Sequence, residues 1–494
     1  MTLPNLLLLA LAIPLAHAAL VATFSRPPGL RDVIHIAAAV ALAVVCAMIL
    51  GAIARGESES LVLAQPLPGL ELALAADRLG AVFALLASSL AALCAMYTVG
   101  WMRLTRDPAP TRFMAFAALA LAMTMGVALA ANLFTFFVFY EGLVIATFPL
   151  LGHRSDTRSG RAAGYYLVLT LALAMGALLP AIVWTSVVAD TLSFAEGGIL
   201  AGRIGPTVAN VLLVFYVLGI GMAALFPAHR WMTATSLANA PASALVFAVT
   251  AASVGGFGVL RIAAHVFGEA LAEARIAALG VIVLAAITLV GSSLAAFVRR
   301  DLGERLAYLC VAQLAGVTAG AMLGPARAEG LAAGWFAAAI QLVAYSTATA
   351  TLCFSIGAIE AATGRTKIDE IDGLGRKMPW IFAALALGAL SFAGAPPLAG
   401  AWPKLWLMIA AADHSQYWLG VVVAAGSLIA FAAFVAPIAR ALFAPERNGQ
   451  FASPDGAPVL IILPTAIAGL STLLLLVWLN PIVAFLGDLQ GAAP

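Results

Sequence analysis

Charged side chains are scarce in this chain. Of its 494 residues only 10% are Asp, Glu, Lys or Arg, whereas 63% are hydrophobic, and the mean hydropathy is +1.05. A soluble globular domain carries about 25% charged residues, and a disordered chain is poor in apolar ones. Both classes are therefore excluded, and the composition predicts an all-α membrane protein that crosses the bilayer many times.

Cysteine pairs and cofactor motifs are also missing. No GxGxxG, GxxxxGK[ST], HExxH or CxxC motif occurs, so we expect no nucleotide, metal or redox cofactor. A net charge of +2 and the lack of a basic run argue against nucleic acid as a partner. The four cysteines lie far apart in apolar segments, without the ligand spacing of a zinc or iron–sulfur site: Cys46, Cys94, Cys310 and Cys353.

Long apolar runs, in contrast, fill the chain. A bilayer span needs about 20 apolar residues, and no connection is long enough for a soluble domain, so we expect one membrane domain over residues 1–494. Fourteen helices are predicted, at 2–23, 33–53, 79–102, 112–130, 132–151, 163–188, 207–228, 238–264, 272–297, 305–324, 330–360, 379–411, 417–443 and 458–486.

Lys and Arg alternate between the connections. Eighteen of the 25 lie in the odd-numbered connections and six, including Arg327, in the even-numbered ones. Because cytoplasmic loops collect Lys and Arg, the odd connections are predicted to face the cytoplasm. Both termini then lie on the opposite side of the cell (inner) membrane. The first run resembles a signal peptide, but its cations, Arg26 and Arg31, follow it, so we interpret it as a retained helix.

Turn-forming residues predict a hairpin and two helix breaks. Residues 61–77 alternate apolar and polar side chains around Pro-Leu-Pro-Gly, a pattern typical of a β-hairpin. The seventh apolar run ends in Leu225-Phe226-Pro227, and the twelfth contains Gly-Ala-Pro-Pro-Leu-Ala-Gly at 394–400. Paired broken helices suggest inverted repeats, although sequence similarity between the two halves is faint.

Glu141 stands in the middle of the apolar run 132–151. No Lys or Arg lies within a dozen residues on either side. About ten residues on each side place it roughly 15 Å from either face of the hydrocarbon layer, where an ionised acid costs at least about 2.5 kcal/mol. Such acids are mostly functional. The alternative is a neutral carboxyl that hydrogen-bonds a backbone carbonyl exposed at a broken helix.

Six segments carry a resemblance to known proteins. They are FVFYEGLVIATFPLLGH around Glu141, GIGMAALFPAHRW at 219–231, NAPASALVFAV at 239–249, RRDLGERLAYLCVAQLAG at 299–316, IDEIDGLGRKMP at 368–379 and GAPPLAGAWPKLW at 394–406. In this order they resemble the antiporter-like membrane subunits shared by respiratory complex I (the L, M and N subunits) and the Mrp-type cation/proton antiporters, most closely the Mrp D subunit.

The resemblance implies a fold and partners. The fold has two inverted five-helix repeats, with helices 7 and 12 broken. Residues 1–111 would hold helices 1–3, 112–264 the first repeat, 272–443 the second repeat and 458–486 helix 14. The implied partners are other membrane subunits of an Mrp-type or complex I-like assembly, including another antiporter-like chain, together with the lipid bilayer. The implied transported ions are protons, with or without Na⁺.

The resemblance also implies a line of ionisable residues across the membrane midplane. Glu141 matches the glutamate of helix 5, and Lys404 matches the final position on helix 12. The positions between them are uncharged in this chain. The helix 7 lysine is replaced by Met222, the helix 8 lysine by Ser253, the helix 8 histidine by Phe247, and the helix 11 histidine and lysine by Tyr345 and Thr349.

Other polar residues could take part in ion transfer. Hydroxyls could hold a file of water in place of the lost amines, or they could serve interhelical packing. His229, at the inner end of helix 7, could anchor the interface or take up protons. For Lys404 the alternative to a transport role is a stem that reaches the interface. The hydroxyl residues are Thr250, Ser253, Tyr345, Ser346, Thr347 and Thr349.

Two functions remain open at this point. The chain could pass protons, or exchange them for Na⁺, through Glu141, the hydroxyl-lined middle and Lys404. Alternatively, it could be a structural subunit that has lost conduction and bridges an active paralogue to other membrane partners. A stand-alone transporter is disfavoured because few polar groups converge at the midplane. We expect no catalytic site in this chain, and any redox reaction of an NADH:quinone oxidoreductase-type translocase would belong to another subunit.

Overall fold

Helices dominate the structure, a computed structural model that describes residues 1–154, 156–323, 334–445 and 458–487. Within these ranges twelve helices are long and apolar enough to cross a membrane. The all-α, multi-pass membrane fold predicted from composition is therefore confirmed. The predicted helix ends at 324 and 330, and the cations Arg327 and Arg447, lie outside the described ranges.

The described residues of the first half of the chain form eleven α-helices. Helix ends are capped where the sequence provides a short polar side chain: Asp77, Asn132, Asp156 and Asn239 each accept a hydrogen bond from a first-turn amide. The helices are α1 (Leu3–Thr23), α2 (Pro28–Ala54), α3 (Arg78–Thr105), α4 (Pro110–Ala128), α5 (Leu133–Leu151), α6 (Thr157–Leu173), α7 (Leu179–Ala189), α8 (Pro206–Gly219), α9 (Arg230–Ala234), α10 (Ala240–Ala244) and α11 (Ala251–Arg261).

In the second half, seven α-helices lie within the described ranges. Asp301 caps α13 by accepting from the amides of Gly303 and Glu304. The π-helical turns Ala174–Leu178, Leu245–Val249 and Ile262–Phe267 continue α6, α10 and α11. The helices are α12 (Arg275–Val298), α13 (Leu302–Met322), α14 (Gly334–Thr363), α15 (Pro379–Ala393), α16 (Ala401–Asp413), α17 (Tyr417–Phe443) and α18 (Val459–Gly487).

The predicted hairpin is confirmed. Strands β1 (Ser60–Leu67) and β2 (Leu70–Ala75) pair antiparallel, with Leu67 opposite Leu70. Gly69 takes φ +79°, a left-handed conformation that glycine adopts without steric cost. Backbone bonds from Ala75 and to Ala73 attach the hairpin to the connection between α4 and α5.

Both predicted helix breaks are present and resemble each other. The seventh run divides into α8 and α9, and the twelfth into α15 and α16. Each break contains a cis X-Pro bond, at Pro227 and at Pro397. Each also has a left-handed residue three positions before that proline, Ala224 (φ 56°) and Gly394 (φ 81°). Because α8 and α15 are shorter apolar helices, the count of fourteen spans stays a prediction.

The two five-helix sets pack in the same order. In the first, α4 packs on α5, α5 on α6, and α11 on α4 and on the break of the seventh run. In the second, α12 packs on α13, α13 on α14, and α17 on α12, α15 and α16. This agreement favours the inverted repeats, whose limits at 112–264 and 272–443 stay predictions. Helix α14 lies at the centre, buried along its membrane-length window.

The odd-numbered connections share one face of the molecule, which we name the basic face. Arg103 Nε donates to Asp32 Oδ2 at 2.8 Å, joining the first and third connections. His153 Nε2 lies 3.0 Å from Asp107 Oδ1, joining the third and fifth. Even-numbered connections meet at the opposite face, where strand residue Leu74 bridges to Ala130. The helices therefore alternate in direction as the charge pattern predicts.

Candidate proton-transfer site

Glu141 is buried inside α5. The residue is only 9% exposed, and neither carboxyl oxygen has a hydrogen-bond partner among the described residues. The sequence left open a neutral carboxyl bonded to a backbone carbonyl, and that bond is not formed. A buried polar group without a partner is costly and calls for a functional explanation. Both oxygens of Glu141 are therefore available to a proton, a water molecule or an ion.

The break of the seventh run packs against the residue next to Glu141. The hydroxyl oxygen of Tyr140 accepts a hydrogen bond from the Met222 amide at 3.1 Å. The indole of Trp231 donates to the Gly221 carbonyl at 3.1 Å. Uncharged side chains thus satisfy the backbone groups that the break frees, and Met222 is fully buried. Where similar proteins are expected to carry a lysine, this chain has an apolar, closely packed turn.

The π-helical turn Leu245–Val249 uses several of the predicted hydroxyls. A π turn displaces backbone carbonyls from their usual helical partners. Thr250 donates to the Leu245 carbonyl at 2.9 Å, and the Tyr345 hydroxyl, from α14, donates to the Phe247 carbonyl at 2.8 Å. Tyr345 therefore joins α14 to this turn, and its donor is occupied.

Ser253 and Ser346 form a second link between α11 and α14. Their hydroxyl oxygens lie 2.9 Å apart, and Ser253 accepts from Ser346 while its own hydrogen is used elsewhere. Ser253 also lies 2.8 Å from the Ala248 carbonyl, to which it donates. Farther along α14, Thr349 Oγ1 contacts Cys310 Sγ at 3.7 Å. The structure thus brings Ser253 and Ser346 together, whereas Thr347 bonds the Val343 carbonyl of its own helix. All of these hydroxyls are engaged in direct protein contacts.

Lys404 lies in the first turn of α16 and is 7% exposed. Its Nζ donates to the Phe392 carbonyl at 2.5 Å, one of the carbonyls left free where α15 ends. A Cβ built on Gly394 would lie 2.8 Å from Lys404 Cδ, so the lysine stem packs against the break. The interpretation in which the stem reaches the interface is wrong, because the ammonium is held inside the bundle.

A small cavity with a few polar groups in a mostly apolar wall adjoins Lys404. Its volume is about 20 Å³, enough for roughly one water molecule. Gln341 Nε2 donates to Gln313 Oε1 at 2.6 Å in its wall. Gln341 Oε1 and Ser293 Oγ have no partner within the described ranges. Sequence reasoning missed this glutamine pair, although single amides in apolar helices are a signal for such sites.

His229 lies at the basic face, between the two halves of the seventh run. Its ring stacks on Phe226 with centroids 5.7 Å apart, and it lines a cavity of about 410 Å³. These contacts fit either of its two predicted roles. In the part of the chain that the structure describes, no three His, Cys, Asp or Glu side chains converge as metal ligands would.

Comparisons with known proteins agree with this architecture. The N subunit of the NADH-quinone oxidoreductase of Desulforudis audaxviator is 28% identical over 378 residues, 74% of this chain and 73% of that protein. The D subunit of the Na⁺/H⁺ antiporter of Alkalihalophilus pseudofirmus is 24% identical over 428 residues, 86% of this chain and 84% of that protein.

A solved structure, the Mrp complex from Dietzia sp. DQ12-45-1b, contains a chain of the same fold, with a TM-score of 0.85 at 21% identity over 99% of this chain and 97% of that one. Residues 130–430, more than half of the chain, match the family described as NADH:quinone oxidoreductase/Mrp antiporter, transmembrane. The chain is therefore an antiporter-like membrane subunit that belongs to this family, as the resemblance of its motifs implied.

Proposed function

We propose that this chain transfers protons across the membrane midplane as one subunit of an Mrp-type or complex I-like assembly. The observation that carries the proposal is Glu141, whose two oxygens are buried without a partner among the described residues. A purely structural carboxyl would be expected to satisfy itself on the protein. One that binds and releases protons needs an oxygen open to the incoming donor.

Glu141 and Lys404 would act at the two ends of the path. A proton on Glu141 removes the cost of a buried negative charge, so binding and release are both accessible steps. At the other end, Lys404 uses one of its three donors on the Phe392 carbonyl and borders a cavity large enough for about one water. Lys404 could therefore pass a proton to that water and take one back.

The middle of the path would rely on hydroxyls instead of lysines. The Ser253–Ser346 pair suits proton transfer because the two hydroxyl oxygens, one on α11 and one on α14, lie 2.9 Å apart, within hydrogen-bond reach. Tyr345 and Thr349 extend the polar surface of α14 from this pair. Met222 contributes no proton site, so the path would pass by it.

A structural role is the second candidate, and one observation favours it. The backbone at the break of the seventh run is bonded to Tyr140 and Trp231, neither of which is charged. The Met222 backbone also packs closely against Gly255 of α11. Such a break would not open and close with the ionisation of Glu141. The chain would then keep the shape and interfaces of the family while another antiporter-like chain conducts.

Replacing Glu141 with Gln separates the two functions. The complex isolated through a tag on this chain would be reconstituted in vesicles, and proton movement driven by a Na⁺ or pH gradient would be followed with a pH-sensitive dye. Glu141→Gln is expected to slow transport by about 100-fold without changing subunit composition. Glu59→Gln, the same change at an exposed site, is the control. Unchanged transport in Glu141→Gln would establish the structural role instead.

The membrane and the orientation are also proposals. Eighteen of the 25 Lys and Arg residues lie in the odd-numbered connections, and the contacts between those connections support a single basic face. By the positive-inside rule this face would lie in the cytoplasm, and both termini on the other side of the cell (inner) membrane. Partners would be other membrane subunits, probed by the composition of the tagged complex.

A further inference from the structure

A polar cavity of about 410 Å³ opens at the basic face, outside the path from Glu141 to Lys404. This volume is within the range of about 300–1,000 Å³ typical of small-molecule sites. Its walls come from α6, from the segment around α9, and from the junction of α12 and α13. The lining side chains used below are Tyr165, His229, Arg230, Arg299, Glu304 and Tyr308.

The cavity holds hydrogen-bond donors in place. The Arg299 guanidinium lies over the Tyr308 ring at 4.9 Å, and its Nη2 donates to the Tyr308 hydroxyl at 3.2 Å. This stacking fixes the plane of the guanidinium. Its Nε is buried and has no partner among the described residues, and the same holds for His229 Nδ1. An orphaned guanidinium N–H in a cavity wall points to an acceptor that comes from outside the chain.

The charge of the cavity favours an anion. Arg230 and Arg299 face one carboxylate, Glu304, so the three side chains together carry one net positive charge. Glu304 lies 3.7 Å from Arg299 Nη1, beyond hydrogen-bond distance, and pairs only loosely. Arg230 is exposed and forms no ion pair with any described residue. Guanidinium groups suit phosphate because they offer several N–H donors in one plane.

Apolar side chains continue from the cavity onto the outer surface of the bundle. On α12, directly before Arg299, Leu294, Phe297 and Val298 are between 50% and 72% exposed. On α6, one turn after Tyr165, Val168 is 68% exposed. A free phosphate would leave these apolar side chains uncovered, whereas the acyl chains of a phospholipid would cover them.

We propose that this cavity binds the phosphate of an anionic phospholipid from the leaflet on the side of the basic face, with the acyl chains lying along α6 and α12. Basic pockets between membrane helices bind acidic head groups in this way. Of the residues predicted to take part in proton transfer, His229 lines the cavity, whereas Glu141 and Lys404 do not. Lipid binding can be measured directly, and the result does not depend on whether the chain conducts protons.

Native mass spectrometry of the delipidated full-length chain measures this binding directly. Phosphatidylglycerol, phosphatidylcholine and inorganic phosphate are added separately, and bound ligand is counted against concentration. Phosphatidylglycerol is expected to bind about tenfold more tightly than phosphatidylcholine. Arg230→Gln with Arg299→Gln is expected to weaken it by about tenfold for each arginine removed, since one charged hydrogen bond contributes about that factor. Arg26→Gln removes a charge from the same face and should change nothing.

Three results would overturn the assignment. Equal affinity for both lipids would show that charge is not recognised. Equal affinity of the wild-type chain and the double variant would show that the arginines are not the site. Displacement of phosphatidylglycerol by millimolar inorganic phosphate would identify the ligand as a soluble phosphate compound. Because Arg230 is exposed, Arg230→Gln should not disturb folding. If the double variant does not fold, the affinity of this single variant for phosphatidylglycerol tests the site instead.

Discussion

Glu141 and Lys404 are both buried, but they differ in hydrogen bonding. Glu141 has no hydrogen-bond partner among the described residues, whereas Lys404 donates to the Phe392 carbonyl at 2.5 Å. Lys404 therefore combines two functions: it satisfies a carbonyl at the end of α15, and it borders the small cavity that contains the Gln313–Gln341 pair. Removing its charge tests the second function while the length of the side chain preserves most of the packing.

Lys404→Met is expected to lower proton transport by about 100-fold, the usual contribution of a positioned proton-transfer group. Methionine retains the apolar stem but cannot hold a proton. Dye-detected transport in vesicles measures the effect, and thermal unfolding in detergent reports the accompanying loss of stability. Lys367→Met, at an exposed residue of the basic face, is the matched control. Transport that survives in Lys404→Met would assign the lysine to structure alone.

For single residues, the sequence predicts which charged side chains belong to the candidate site better than which neutral polar ones do. Glu141 and Lys404 stand out because a charge in an apolar run is expensive, and both prove to be buried. The Gln313–Gln341 pair was missed because a lone amide costs less in a membrane helix and its partner comes from another helix. For Lys404 the sequence left an interior and an interfacial position open, because the choice depends on where α15 ends and frees a carbonyl.

Among the elements, the two helix breaks give the clearest comparison. Each has a left-handed residue three positions before a cis proline, but the first break has Ala224 there and the second Gly394. A Cβ in this conformation costs about 1–2 kcal/mol. Replacing alanine with glycine relieves that strain, yet it also adds about 0.5–1 kcal/mol of unfolded-state entropy.

Gly394→Ala is therefore expected to destabilise the chain by at least about 1–2 kcal/mol, because the new Cβ would also meet Lys404 Cδ at 2.8 Å. Ala224→Gly should be close to neutral. Unfolding of both variants in detergent, followed by circular dichroism against denaturant or temperature, gives the comparison. Equal stability of the two variants would mean that the breaks do not hold these residues in the left-handed conformation.

The face opposite the basic face contains a partly buried ionic cluster that joins two elements. Asp77, the cap of α3, pairs with Arg261 at the end of α11, and His265 Nε2 lies 3.0 Å from Asp77 Oδ2. Burial alone would raise the pKa of Asp77, but the Arg261 guanidinium and the hydrogen bonds from His265 and the Gly80 amide outweigh it and hold that pKa well below its usual range. The cluster thus favours the ionised acid.

Asp77→Asn is expected to cost about 3–5 kcal/mol at neutral pH, because it leaves Arg261 buried without its counter-charge. The pKa of Asp77 is lower folded than unfolded, so its stabilisation is present above about pH 4 and is lost only as the pH falls further. Denaturation of the wild-type chain and the variant should show the same loss of unfolding free energy at pH 7 and pH 5, and a smaller loss at pH 3.5. Asp190→Asn, at an exposed site on the same face, is the control and should lose no stability. If the stability lost in Asp77→Asn disappeared already by pH 5, the low pKa of Asp77 would be contradicted.

Element boundaries were predictable where local chemistry decides them. Apolar runs located the membrane helices, Pro68-Gly69 located the hairpin, and prolines located both breaks. The π-helical turns, such as Leu245–Val249, could not be foreseen. Their displaced carbonyls are satisfied by side chains from distant parts of the chain, such as Tyr345, and no local pattern encodes that.

At the scale of the whole molecule, the basic face predicts the orientation in the membrane. The native cysteines are all buried, so a single introduced cysteine can report on its side of the bilayer. A membrane-impermeant maleimide should label Glu59→Cys, in the second connection, in intact cells. It should label Arg158→Cys, in the fifth, only after permeabilisation. The reverse pattern would place the basic face outside.

Helix α14 has the length of a membrane span but is buried along its whole membrane-length window. Its neighbours include α13, made before it, and α15 and α18, made after it. During synthesis the chain must therefore hold a central helix that carries Gln341 and several hydroxyls before the helices that cover it exist. The final arrangement cannot be reached helix by helix in order, and a chain that stops before Val459 would leave one side of its own centre open.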